Sequence, residues 1–216
     1  MGAATAIRIG HPSVVSTRRI ATLFIVGSAC FAVAATPGYA SISDRASAIT
    51  YFAGSLFFTA AALDQLRTSG GGLDRWSSLV QLAGTILFNV STFVAVDERL
   101  DPHAADLLVW TPDALGSICF LVASALASYA VWEQRGDRRT RRIADLNLAG
   151  SIAFGLSAIA SRLVGDTAEV ANAALAGSGT FVGAICFLVA AWMLRRSQSS
   201  GANRSTPLPS GSATSA

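Results

Sequence analysis

Charged residues along this chain fall in clusters, separated by six charge-free intervals at 20–43, 46–63, 76–96, 114–132, 146–161 and 170–194. Their lengths match the roughly 17–25 residues that cross a bilayer as a helix. Apolar residues form continuous runs inside them, without the alternation that a membrane-spanning strand barrel requires. Helices are then the remaining way to satisfy the backbone in lipid. The pattern predicts six, near 20–36, 47–64, 76–96, 113–133, 143–163 and 169–194. Punctuation agrees. Thr36-Pro37-Gly38 stops the first, Ser69-Gly70-Gly71-Gly72 is a loose turn, and Thr111-Pro112-Asp113 supplies a cap, a first-turn proline and a carboxylate. Asp166 and Glu169 read as a capping pair opening the sixth helix.

The intervals resemble one another. Leu82-Ala83-Gly84-Thr85-Ile86-Leu87-Phe88 recurs as Leu148-Ala149-Gly150-Ser151-Ile152-Ala153-Phe154, and residues 118–123 recur identically at 185–190. Every interval carries G-[STA]-x-x-F. The glycines are Gly27, Gly54, Gly84, Gly116, Gly150 and Gly183, and the phenylalanines Phe31, Phe58, Phe88, Phe120, Phe154 and Phe187. With 19 glycines in 216 residues, about one of the 11 phenylalanines should have a glycine four places earlier by chance. Positions i and i+4 share a helix face. The glycine leaves a notch for close helix approach, and the ring fills a neighbour's notch. Gly179 and Gly183 add a G-x-x-x-G pair.

The fold expected is all-α: an integral membrane bundle of six transmembrane helices, built from three parallel two-helix hairpin repeats at 20–66, 76–133 and 143–194. A pseudo-threefold axis would lie along the membrane normal. Residues 1–19 and 195–216 would form cytoplasmic tails, the latter disordered.

Composition sharpens this. Charged residues make up 13% of the chain, about half the share in a soluble domain, and hydrophobic residues 52%. That excludes a soluble enzyme, a secreted disulfide scaffold and a disordered chain. The net charge is +3, and every base is an arginine. Thirteen arginines lie in the termini and in the second and fourth connections. Arg45, Arg99 and Arg162 alone lie in the other three. This bias places both termini in the cytoplasm, and it argues topology rather than nucleic-acid binding. Arg135–Arg142 would meet anionic lipid headgroups. Arg18-Arg19 with Gly38-Tyr39-Ala40 also resembles a cleavable signal peptide, but the first interval carries the same motif as the other five. Trp76, Trp110, Trp132 and Trp192 sit at interval ends, as interfacial anchors do.

The G-S-x-x-F helices with short connections, including Val26-Gly27-Ser28, Ala53-Gly54-Ser55 and Leu115-Gly116-Ser117, resemble the YrhK-like family of small bacterial membrane proteins over about residues 20–194. Members are typically a single hairpin module, and three copies would stand here. The resemblance implies the plasma (inner) membrane of a bacterium, and it brings no activity, substrate or catalytic residue with it.

Chemistry is sparse. Cys30, Cys119 and Cys186 lie inside the spans with no C-x-x-C pair. His11 and His103 are the only histidines, too few for a paired-histidine metal site or a Ser-His-Asp triad. Asp64 and Asp145 read as interfacial partners of Arg67 and Arg142, with a gating or proton-handling role as the alternative. Asp97, Glu98, Asp101, His103, Asp106 and Asp113 fit a solvated acidic loop better than a divalent-cation site. No catalytic, cofactor or metal site is expected. Gln81, Asn89 and Asn147 enter the spans, where interhelical hydrogen bonds explain them and solute contact is the sharper alternative. The expected function is a non-enzymatic membrane module acting through helix packing, lipid, a membrane-protein partner or a second copy of itself. The alternative is a channel or facilitator for a small neutral solute along the pseudo-threefold axis.

Overall fold

The computed structural model describes residues 14–36, 38–39, 43–97, 99–162 and 171–202. His11, Pro37, Glu98 and the Asp166/Glu169 pair lie outside them. Among the described residues, six helices are long and apolar enough to cross a membrane: α1 (Val14–Ala34), α2 (Asp44–Thr68), α3 (Gly72–Val94), α4 (Pro102–Glu133), α5 (Arg138–Ala160) and α6 (Ala173–Ala202). Each packs on its neighbours in sequence, and α6 closes on α1, so the helices form a ring.

The interior has an unusual composition for a protein core. Apart from Ile20, buried positions hold phenylalanine, alanine, glycine, serine and threonine, and no leucine or valine is buried among the described residues. Most of the large aliphatic residues face outward instead, as at Ile86, Ile118, Ile152 and Ile159. Lipid removes the hydrophobic drive between helices, so close backbone approach through small residues holds such a bundle together.

Several helices begin or end beyond the apolar intervals. α1 starts at Val14, inside the segment 1–19 expected as a tail, and α6 runs to Ala202, past the expected boundary at 195. Once nucleated, a helix propagates by satisfying its own backbone, and arginine stems lie along it without interrupting it. α5 starts at Arg138 rather than 143. Asp137 caps it by accepting the Thr140 N–H at 2.7 Å, and hydrogen bonding from Thr140 holds that carboxyl below its ordinary range.

α4 departs most from expectation, since it begins at Pro102 rather than 113. Asp101 is its N-cap, accepting from Ala104 N at 3.0 Å, with Pro102 in the first turn. Pro112 then falls inside the helix, where it offers no N–H and its ring crowds the preceding turn. The chain absorbs this with a π-turn at Asp106–Trp110, and the Thr111 hydroxyl donates to the Asp106 carbonyl at 2.9 Å.

At the end where the chain enters α1, Asp64 accepts from Arg19 Nε at 2.9 Å, and Arg67 stands 3.7 Å away. Arg19 is a partner that the spacing of α2 alone does not suggest. Asp145 forms no ion pair with Arg142 among the described residues. Within the arginine run, Arg139 donates to the Met193 carbonyl of α6 at 2.8 Å, while Arg135, Arg138, Arg141 and Arg142 stay exposed.

Candidate functional site: the bundle axis

The motif glycines meet in pairs. A methyl built on Gly27 would lie 2.9 Å from Phe58, and one on Gly54 would lie 2.7 Å from Phe31. Gly84 and Gly116 likewise face each other across α3 and α4, and Gly150 and Gly183 across α5 and α6. In the first and third pairs, each glycine notch receives the ring from the opposite helix. Gly84 takes Phe120 and the Cys119 Cβ, and Gly116 takes Phe88. Gly179 lies against Ala153 and Ser157 of α5.

This register puts the six rings into two layers of three. Phe31, Phe88 and Phe154, from the odd-numbered helices, meet at centroid distances of 5.8 to 6.3 Å. Phe58, Phe120 and Phe187, from the even-numbered helices, meet at 5.9 to 6.5 Å. Facing pairs join the layers at 5.1, 5.2 and 5.5 Å. All six rings are buried in one cluster.

The residue after each glycine is also buried: Ser28, Ser55, Thr85, Ser117, Ser151 and Ala184. Some of these hydroxyls tie neighbouring hairpins together. Ser55 pairs with Thr92 at 3.1 Å, and Ser151 with Ser124 at 2.7 Å. Ser28 and Ser117 have no hydrogen-bond partner among the described residues, and the register explains why. The position equivalent to Ser124 in α6 is Ala191, and the position equivalent to Thr92 in α5 is Ala158. Ser151→Ala should therefore destabilise the bundle by about 0.6 kcal/mol, the average for an interhelical hydrogen bond in lipid. Ser28→Ala and Ser117→Ala should be neutral or stabilising, because each removes a buried unsatisfied group. Thermal unfolding of the three variants in one detergent checks the ordering.

A cavity lies on each side of the ring cluster, and all six helices line each one. The larger, about 560 Å³, opens where α1, α3 and α5 end, and Phe31 and Phe154 form its floor. The smaller, about 100 Å³, lies toward the end where the chain enters α1, against Phe58, Phe120 and Phe187. The position three residues before each motif glycine points into one or the other. Phe24, Gln81 and Asn147 line the small cavity, and Tyr51, Asp113 and Thr180 the large one.

Gln81 and Asn147 thus come together, while Asn89 stands apart from both cavities. Its amide donates to Thr59 Oγ1 at 2.9 Å, bridging α3 and α2. Trp110 corrects the expectation of an interfacial anchor. Its indole N–H donates to the Ala158 carbonyl at 2.8 Å, and its ring lines the large cavity. Trp76, Trp132 and Trp192 are exposed. Asp113, read from sequence as a helix-end carboxylate, is likewise a cavity residue. The signal that could have found it is the shared repeat position with Tyr51 and Thr180.

Among the described residues, no three histidine, cysteine, aspartate or glutamate side chains gather as metal ligands. In comparisons with protein-family models, curated proteins and solved structures, the chain matches none.

Proposed function

We propose that the chain is a non-enzymatic, multi-pass protein of a bacterial inner membrane, made of three parallel hairpin modules of the YrhK-like kind around a sealed axis. The glycine pairs and the two ring layers support three equivalent hairpins, and the arginine bias supports cytoplasmic termini. Exposed arginines at 135, 138, 141 and 142 are the basis for contact with anionic headgroups. The observation that carries the reading is the six-ring cluster. It fills the axis at mid-height, where a passage for solute would have to run.

The test is solute flux into proteoliposomes. Vesicles carrying the protein should take up urea and glycerol no faster than protein-free vesicles in a stopped-flow osmotic assay. A clear acceleration would sink the sealed reading.

That outcome would favour a facilitator for a small solute, the second reading, which rests on the two cavities sharing one axis. In it the ring layers would be a closed gate, and Gln81 and Asn147 would contact solute on the inner side. Cysteines placed at 81 and 147 would then react with aqueous reagents and one at 89 would not.

A further inference from the structure

We propose that the large axial cavity is a binding site for a small organic cation, an alkyl- or quaternary ammonium, held by Asp113 among aromatic walls. The inference goes beyond the sealed module and does not depend on it. A volume of about 560 Å³ is in the range of small-molecule sites. Three carboxylates, Asp44, Asp97 and Asp113, line the cavity, with no arginine or histidine among the described lining residues.

Asp113 carries the most weight. Its carboxylate forms no hydrogen bond or ion pair with any described residue, although it lies inside the bundle at the repeat position of Tyr51 and Thr180. An enclosed, unpaired carboxylate is costly, and a cationic partner relieves that cost. Several of the lining hydroxyls are already engaged, while those of Tyr51 and Ser91 face the cavity beside the carboxylates. Ser47 donates to the Ala34 carbonyl, Thr92 to the Phe88 carbonyl and Ser157 to the Ala176 carbonyl. What remains for a ligand is the carboxylates, with the Tyr51 and Ser91 hydroxyls as neutral neighbours.

Two further observations select an organic cation over a metal ion. The carboxylates do not converge as a ligand set. The remaining walls include the rings of Phe31, Tyr51, Trp110 and Phe154, surfaces that attract cations through the ring quadrupole. Trp110 already does this with a native cation, since the Arg162 guanidinium lies 5.5 Å from its ring centroid. The other arginines described at this end, Arg45 and Arg99, line a separate surface cleft with Asp97.

The experiment uses the full chain in nanodiscs, titrated with choline, tetramethylammonium and 1,4-diaminobutane. The uncharged isostere 3,3-dimethylbutan-1-ol is the control. At least one cation should bind with one-to-one stoichiometry, and the alcohol at least about 10-fold more weakly. Asp113→Asn should lower the cation's affinity about 10-fold or more, and Asp113→Glu should retain most of it.

A second measurement covers the case in which Asp113→Asn does not fold. Gly177 lines the cavity with open space around it, so Gly177→Cys in a Cys30→Ala, Cys119→Ala, Cys186→Ala background keeps the native carboxylate. The cation should protect it from an aqueous maleimide, and the alcohol should not. Failure of all three cations to bind, equal binding of the alcohol, or full affinity in a folded Asp113→Asn variant overturns the proposal. Vesicle flux is read independently, so a leaky bundle would refute the sealed axis while leaving this site in place.

Discussion

Leucine in place of Gly54 will disrupt the bundle, whereas leucine in place of Gly155 will be tolerated. The two glycines sit in helices of similar make-up and differ in what surrounds them. A methyl at Gly54 would lie 2.7 Å from the Phe31 ring and 2.9 Å from the Cys30 Cβ. The ring can tilt, but a Cβ is fixed to the backbone, so α1 and α2 would have to separate. Around Gly155 there is nothing within 4 Å.

Overpacking in a close-packed interior costs about 1–3 kcal/mol for small additions. Gly54→Ala belongs in that range, and Gly54→Leu should exceed it. Gly84→Ala should behave like Gly54→Ala, because the Cys119 Cβ would lie 2.9 Å away. Gly116→Ala should be milder, with its nearest atoms at 3.1 and 3.4 Å. Gly155→Ala should be neutral or gain up to about 1 kcal/mol from helix propensity. Thermal unfolding with size-exclusion profiles in a mild detergent would show the ordering. Equal tolerance at Gly54 and Gly155 would remove the seam from the explanation of the fold.

The pattern of apolar intervals is enough to find all six helices, because a bilayer-spanning helix must exclude charge over its whole length. The motif also contains the pairing. Gly27 with Phe58 and Gly54 with Phe31 follow once two antiparallel helices set their notches against each other's rings. Helix ends are less legible. α1, α5 and α6 continue into polar sequence, where lipid no longer selects residue type. The start of α4 depends on a π-turn that no hydropathy pattern encodes. Two local signals were nonetheless present: Asp101 before Pro102, and Asp137 three residues before Thr140.

The large cavity was hidden for a different reason. Tyr51, Asp113 and Thr180 are chemically unlike one another, so nothing in their identities marks them as equivalent. Gln81 and Asn147 stand out because both are amides in apolar runs. Counting back three residues from every motif glycine would have gathered both sets. The cavity itself exists only once all six helices close into a ring. Trp110 was misplaced on the same account. A tryptophan at a span end is an interfacial anchor unless a neighbouring helix offers its indole a carbonyl, as Ala158 does here.

Phe31→Ala should rank with Phe58→Ala as the most destabilising of the ring truncations, each ring having four aromatic neighbours, and its magnitude separates packing from transfer. In water, a buried Phe→Ala substitution costs about 3–5 kcal/mol, part of it from transferring the ring out of water. In a bilayer the dissociated helix still keeps its ring in an apolar medium, so little of that transfer contribution survives. What remains is the space left behind, roughly 100 Å³ at about 24 cal/mol per Å³, or about 2.4 kcal/mol. Phe31 also contacts Tyr51, Phe58, Phe88 and Phe154, and aromatic pairs contribute about 0.5–1.5 kcal/mol each beyond area. Phe154, with the three ring contacts Phe31, Phe88 and Phe187, should follow. Phe93→Ala is the control, since that ring is 63% exposed and touches only Phe52 among aromatic rings. Its loss should cost little. Unfolding free energies of the three variants in the same bilayer mimetic would test the order. If Phe93→Ala matched Phe31→Ala, the rings would owe their effect to lipid contact, and the axial cluster would not be what holds the hairpins together.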